Sequence, residues 1–343
     1  MRDFKKLFSI IMLISFVVSI NVFSQIYTTT KVDDKVKSLL SKMTLEEKVG
    51  QMTQVTIQAV SKTQGTKSQM HQLDDAKLEE AIKKYKVGSI LNVYDVAYSK
   101  EYWHEMITKF QDIATKETRL NIPVLYGIDA IHGATYTKDA TLFPQAISMA
   151  ATWNTEIAKL TGEITSYETK ASGIPWNFYP VMDIGRQPLW SRLWETYGED
   201  VYLASKIGAS YINGAQGNDM SAPDKLATCL KHYVGYSFPI NGLDRTPAWI
   251  SERMLREYFL PTFEAGILAG APTIMVNSAE VDGIPGHANY HLLTEVLRNE
   301  LNFKGFVVSD WEDIVRLHTR DGMASTPKAV SYTHLTLPTS DLV

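Results

Sequence analysis

The sequence predicts an α/β fold built on a parallel sheet, and more narrowly a (β/α)8 barrel of the TIM type that is incomplete. Two observations predict it. Strand-like runs alternate with helix-like runs about six times, at spacings of roughly 35 to 50 residues, the order that builds parallel sheets with crossover helices. Polar residues of catalytic type also stand at the carboxyl end of nearly every strand-like run: Asp129, Asp183, Lys231 with His232, Asn277 with Glu280, and Asp310. An open doubly wound sheet is the rival, but no glycine-rich phosphate or dinucleotide loop follows the first strands. A single strand-end acid serves equally well as a cap for the next helix. Many in succession mark the rim of a barrel, where active sites are assembled from several strand ends.

The elements follow in order. "VDDKVKSLLSKM" carries apolar residues at helical spacing and ends near Met43, and in "TLEEKVGQM" Thr44 and Glu47 form a capping box. "VGSILNV" is a short aliphatic strand. "KEYWHEMITKFQDIATKET" is an amphipathic helix, "IPVLYGIDAIHG" a strand running into a loop, "NTEIAKLTGEITSYETKAS" a helix and "WNFYPVMDIG" a strand. "EDVYLASKIGASYINGAQG" reads as a helix with acids in its first turn and glycine at its end, as the helix dipole and left-handed C-terminal caps favour. "KLATCLKHYVGY" is strand, "SERMLREYFLPTFEAGILAG" helix, "PTIMVNSAEV" strand, "YHLLTEVLRNEL" helix and "GFVVSDW" strand.

Composition bounds the function. The chain has 343 residues, 45% hydrophobic and 21% charged, which is ordinary globular usage. A net charge of −4 and a pI near 6.1, with no basic stripe, argue against a nucleic-acid partner. The single cysteine, Cys229, excludes an intramolecular disulfide and reads as a small buried hydrophobe. "MRDFKK" followed by the apolar "LFSIIMLISFVVSINVF" and Ser24 is the three-part pattern of a signal peptide over residues 1–24, with a transmembrane anchor as its rival. No cysteine sits there to make a lipoprotein anchor. The expectation is a bacterial protein, periplasmic or secreted, off the membrane after signal removal. The folded domain is expected over 25–329. The threonine-rich "VSYTHLTLPTSDLV" over 330–343 has no period and reads as a non-native or disordered tail.

The motifs "YGIDAIHG", "FPQAISMAATWN", "RLWETYGED", "KHYVGY", "HAN" and "GFVVSDWEDI" occur in an order and at intervals that resemble the amino-terminal domain of glycoside hydrolase family 3, of the bacterial β-glucosidase type, truncated. The resemblance runs from about residue 33 to about residue 320. It implies an exo-acting retaining β-glycosidase that releases glucose from β-linked glucosides or oligosaccharides, with Asp310 as the nucleophile that forms a covalent glycosyl-enzyme. Trp311 would offer an apolar face to the sugar ring. Asp129 would accept hydrogen bonds from hydroxyls far from the anomeric centre, Arg192 would bind the same sugar, Lys231 and His232 would hold the ring hydroxyls, and Met275 would line the pocket. No cofactor and no metal are implied.

In this branch the acid/base carboxyl comes from a following α/β sandwich domain. That domain and about the last two strand–helix units are missing from this sequence, so the fragment is expected to be inactive or very weak. Several departures bear on specificity. Gln187 and Leu189 stand where the family often has a charged pair, and Ser278 stands where some members have a pocket tyrosine, with Glu280 two residues on. The "KHYVGYSFPINGLDRTP" segment is longer than the loop of the N-acetylglucosaminidase branch. The alternatives are a β-xylosidase or β-N-acetylglucosaminidase of the same family, or a sugar-binding fragment without turnover. A metal-dependent hydrolase using Asp129, His132, His232 and Asp310 would lack the usual His-x-His pair. A Schiff-base aldolase would use Lys231.

Overall fold

The computed structural model describes residues 30–62, 70–93 and 96–334. The expected signal peptide, 1–24, lies outside them. So does most of the expected tail, although its boundary falls inside a helix, Pro327–His334, in which Val330 is buried. Among the described residues no helix is long and apolar enough to cross a membrane.

Seven strands form one sheet: β1 (Gln54–Thr56), β2 (Ser89–Leu91), β3 (Leu125–Ile128), β4 (Trp176–Asn177), β5 (Ala227–Tyr233), β6 (Thr273–Val276) and β9 (Phe306–Val308). The intervening β7 (Glu280–Val281) and β8 (Ile284–Pro285) make a separate antiparallel hairpin. All six neighbouring pairs of the sheet are parallel. Spatial order follows chain order without a reversal, so each crossover lands beside the strand it left. That winding curls the sheet into part of a barrel, whereas a doubly wound sheet reverses its strand order. β1 and β9 are the two open edges of the arc.

Several elements differ from the sequence reading for local reasons. β1 is only "QVT", too short and too polar to show a period. β4 spans only two residues, but its course beside β5 continues, with Val181 bridged in parallel to Lys231. The run "PTIMVNSAEV" breaks at Asn277, whose side-chain amide donates to the Val234 carbonyl (2.9 Å) and whose oxygen accepts from the Ala279 N–H (2.6 Å). The hairpin that follows turns on Asp282 and Gly283, both at positive φ (50° and 80°), as a tight Asp-Gly hairpin turn requires. In the helix expected around Pro261, a π turn, Leu255–Phe259, precedes the regular Leu260–Leu268, which places proline in a first turn where no N–H is needed. The capping box is present: the Thr44 hydroxyl accepts from the Glu47 N–H and the Glu47 carboxylate accepts from the Thr44 N–H.

The inner face of the arc carries Trp176, Phe178, Cys229 and Met275, with Leu91, Leu125 and Val308 against them. Cys229 is fully buried there, as its reading as a small hydrophobe implies. Trp176 would leave its N–H stranded in so dry a place, and it donates instead to the Thr273 hydroxyl at 2.9 Å. The outer face is covered by helices, with Trp103, Phe110 and Tyr126 in one cluster and Tyr211, Phe259 and Phe263 in the other. Helices Thr155–Ala171 and Val201–Gln216 approach closely because Gly162 faces the Tyr211 carbonyl and Gly214 faces the Lys159 carbonyl. A Cβ at either glycine would overlap backbone that cannot swing aside. Gly162→Ala is therefore expected to force the two helices apart and destabilise the fold by about 1–3 kcal/mol. Urea unfolding followed by circular dichroism checks this, and an unchanged midpoint would contradict the close approach.

Candidate active site

Because every strand of the sheet is parallel, all its carboxyl ends lie on one rim. Asp129 follows β3, Lys231 and His232 lie within β5 at its end, Asn277 follows β6, and Asp310 comes two residues after β9. The rim residues are linked by charge rather than by apolar contact.

Lys231 is buried, and an ammonium there needs a partner. It donates to Asp129 Oδ1 at 2.6 Å. The other Asp129 oxygen accepts from the Asn92 side-chain amide at 2.7 Å, while Asn92 Oδ1 accepts the Asp129 N–H at 3.1 Å. Asn92 sits at φ 52°, a left-handed conformation that asparagine tolerates better than most residues. Burial works against charge on Asp129, but the Lys231 ammonium outweighs it, and with Asn92 and Arg192 holds the carboxyl below its usual range. Asp129 is thus an ionised acceptor with part of its surface open, placed to take further donors.

His232 turns the other way. Its Nδ1 lies 2.8 Å from Asp183 Oδ2, which also accepts the His232 backbone N–H at 2.9 Å. Its Nε2 lies 3.1 Å from Arg192 Nη2. A guanidinium nitrogen can only donate, so Nε2 accepts and the ring proton sits on Nδ1, pointing at Asp183. Burial first, then the cations Arg192, Lys231 and Arg245, push the imidazole well below its ordinary value, so the ring is neutral. Burial pushes the Asp183 carboxyl up to about 8.

Arg192 forks onto Glu195, with Nε to Oε1 at 2.7 Å and Nη2 to Oε2 at 2.8 Å. Its guanidinium also faces the Tyr236 ring at 5.5 Å. Burial opposes its charge, but the Glu195 carboxylate overrides that and holds the guanidinium above its usual value. Arg192 acts electrostatically on both Asp129 and Asp310, which ties the two ends of the constellation together.

Asp310 ends its strand nearly buried. Its Oδ1 accepts the Trp311 N–H and, at 3.4 Å, Arg245 Nη2. Its Oδ2 has no hydrogen-bond partner. The chain leaves through left-handed backbone at Glu312 (φ 58°) before helix Asp313–Thr319 begins. Trp311 is 44% exposed, an aromatic face left open beside the carboxylate. Met275 is buried among the inner-face aromatics below the rim. The cations Lys231 and Arg192 are committed to other acids, Asp129 and Glu195. The cation in contact is Arg245, from the long loop after β5, whose guanidinium also reaches the Ser278 hydroxyl.

Other rim residues serve the frame. Asn277 and Asn177 fix loops, the latter by exchanging hydrogen bonds with the backbone of Ala130. Glu280 is on the hairpin. His132 faces the Phe143 carbonyl at 3.2 Å while His232 faces Asp183, so the two histidines do not converge with Asp129 and Asp310. Among the described residues no group of three or more His, Cys, Asp or Glu is placed to hold a metal ion. Lys231, the candidate Schiff-base amine, is engaged in an ion pair. Sequence reading missed Asn92, Arg245 and Asp313. Only Asn92, an asparagine directly after a strand, left a local signal.

Comparison with known proteins bears on this geometry. The family described as "Glycosyl hydrolase family 3 N terminal domain" matches residues 44–331. A lysosomal beta glucosidase of Dictyostelium discoideum is 47% identical over 300 residues, which are 83% of this chain and 36% of that protein. A beta-xylosidase of Formosa agariphila is 37% identical over 63% of this chain and 31% of its own length. The crystal structure of a beta-glucosidase from Listeria innocua in complex with isofagomine superposes with a TM-score of 0.74 at 31% identity, covering 87% of this chain and 39% of that one. The chain thus spans about a third of the length of the curated relatives it matches.

The neutral Nδ1–H form of His232 has a direct readout. Its ring ¹⁵N resonances are expected to stay those of a neutral imidazole as pH falls from 8 through the ordinary histidine value of about 6.5. A resonance that titrates near 6.5 would contradict the assigned proton position.

Proposed function

This chain belongs to glycosyl hydrolase family 3, as its N-terminal domain, and from that premise we propose that it carries the nucleophile and most of the sugar-binding face of a retaining exo-β-glycosidase of the β-glucosidase type. The observation that carries the reading is Asp310. One carboxylate oxygen is held by the Trp311 N–H and Arg245, and the other is free of any partner at the rim where Asp129, Lys231, His232 and Arg192 converge.

The chemistry follows from that placement. Asp310 Oδ2 attacks the anomeric carbon, the bond to the leaving oxygen breaks, and a covalent glycosyl-enzyme forms. Water then attacks the same carbon, the Asp310–sugar bond breaks, and the product keeps the starting configuration. A general acid must protonate the leaving oxygen, and a second carboxyl group from elsewhere in the whole protein supplies it. Ahead of that step, the ionised Asp129 and the Lys231 ammonium form a matched acceptor and donor for adjacent hydroxyls. Arg192 Nη1 and the Trp311 face extend the contact to the rest of the ring.

The substrate class is a β-linked glucoside or oligosaccharide. A β-xyloside is the second reading, supported by the similarity to a beta-xylosidase, since both sugars present equatorial ring hydroxyls. The basic, apolar and small-residue pattern of residues 1–24 supports an exported enzyme meeting its substrate in the periplasm or outside the cell.

Two measurements test the site. A 2-deoxy-2-fluoro-β-glucosyl reagent with a dinitrophenolate leaving group needs little protonation, so it is expected to label this chain on Asp310. Mass spectrometry of the digested adduct reads the position, and labelling of Asp183 or Glu195 instead would overturn the assignment. Asp129→Asn keeps a partner for Lys231 but removes the charged acceptor. It is expected to weaken glucose binding by about 1.5–3 kcal/mol, or roughly tenfold to a hundredfold. Unchanged affinity by calorimetry would remove Asp129 from the sugar site.

A further inference from the structure

Asp313 opens the helix that follows the Asp310 loop, and its side chain is wholly buried. Three guanidiniums surround it at ion-pair distance: Arg316 at 3.5 Å, Arg320 at 3.6 Å and Arg245 at 3.8 Å. They arrive from three places: the helix itself, the segment after it, and the long loop after β5. Arg245 is the member that reaches onward, with Nη2 on Asp310 Oδ1 at 3.4 Å and Nη1 on the Ser278 hydroxyl. Arg320 donates to the Ser278 carbonyl at 2.9 Å, which closes the ring of contacts beneath the carboxylate.

We infer that Asp313 is a positioning residue for Asp310: it gathers the arginines whose foremost member, Arg245, holds the nucleophile's carboxylate in one orientation. As a statement about catalysis the inference rests on the nucleophile reading of Asp310. As a statement about what holds the Arg245 guanidinium it stands without it.

The reasoning is one of charge. Arg245 has left-handed backbone (φ 58°) on a loop, so the loop alone does not fix its fork. The guanidinium meets a different carboxylate with each nitrogen, Asp310 at Nη2, Asp313 at Nη1 and its chain neighbour Asp244 at Nε (3.8 Å), with the Ser278 hydroxyl beside Nη1. That arrangement uses the planar geometry of arginine and is not available to a lysine. The groups facing Asp313 are Asp310 from the strand end, Arg245 and Ser278 from the loops after β5 and β6, Arg316 from its own helix and Arg320 after it. His287, from the turn Gly286–Ala288 that packs on this helix, and Asp321 complete the surroundings. Burial pushes the Asp313 carboxyl up to about 6; Ser278 and the arginines oppose this, and the Asp310 charge adds to it.

The test uses the full chain carrying Asp313→Asn, with Asp313→Glu as the charge-preserving control and Arg245→Lys as an independent probe should the asparagine variant fold poorly. In ¹⁵N-arginine spectra, with the Arg245 guanidinium assigned through Arg245→Lys, loss of the Asp313 carboxylate is expected to release that guanidinium, so that its Nη resonances collapse to those of a freely rotating group. Labelling of Asp310 by the fluoro-sugar is expected to slow by roughly tenfold to a hundredfold in Asp313→Asn and in Arg245→Lys, with the reagent's saturation constant little changed, and to recover in part in Asp313→Glu. Arg245 resonances unchanged in Asp313→Asn, or a folded Asp313→Asn protein that labels at the parent rate, overturn the inference. Released Arg245 resonances in a chain whose Asp310 is never labelled support the arginine contact and overturn the nucleophile reading instead.

Discussion

The site depends on a single constraint: charges brought to the rim of a parallel sheet must be paired before any sugar arrives. Lys231 sets the pattern. Its ammonium is nearly dry, and an unpaired buried ion costs several kcal/mol. The partner is Asp129, two strands away in the arc, and the contact at 2.6 Å draws the ends of β3 and β5 to one place. The same need is met for Arg192 by Glu195 and for Arg245 by Asp310 with Asp313, while the neutral His232 gives its ring N–H to Asp183. Removing one partner strands the other, so these side chains are held by each other. A binding face built this way needs little reorganisation to receive a ligand, which is where pre-organised sites gain.

Much of this was legible in the sequence because strand-end residues in a barrel share a rim whatever their neighbours are. The alternation of elements implied the parallel sheet, and the acids after "LYGI", "PVM" and "FVVS" stood where the sheet brings them together. What stayed hidden depends on where loops land. Arg245 comes well after β5 in a segment with no period, and nothing in "NGLDRTP" says that its guanidinium will return to the end of β9. Asp313 is a first-turn helix acid, and its burial among arginines comes only from tertiary contacts. β1 was invisible because three half-buried residues carry no hydrophobic signature. The break after Val276 was obscured by an apolar run that continues through a hairpin.

Residue type at a strand end does not assign a role, because aspartates in equivalent places end in different states. Asp129 lies against an ammonium and an amide and is kept ionised despite burial. Asp183, with one oxygen given to His232 and the other unpartnered, is pushed up to about 8 by burial. It is therefore suited to orienting a neutral imidazole and unsuited to serving as a permanent anion facing substrate. Asp310 shares with Asp183 an oxygen without a partner, but its anchored oxygen meets the Arg245 guanidinium where Asp183 meets a neutral imidazole. Environment thus sorts chemically identical groups into acceptor, orienter and attacking atom, as it does wherever paired carboxyls divide their work. The neighbours differ in each case: the Lys231 ammonium fixes the first, burial against the neutral His232 ring sets the second, and the Arg245 guanidinium reaches the third. Since Arg192 acts on Asp129 and Asp310 alike, a change in its Glu195 fork alters the surroundings of both carboxylates together.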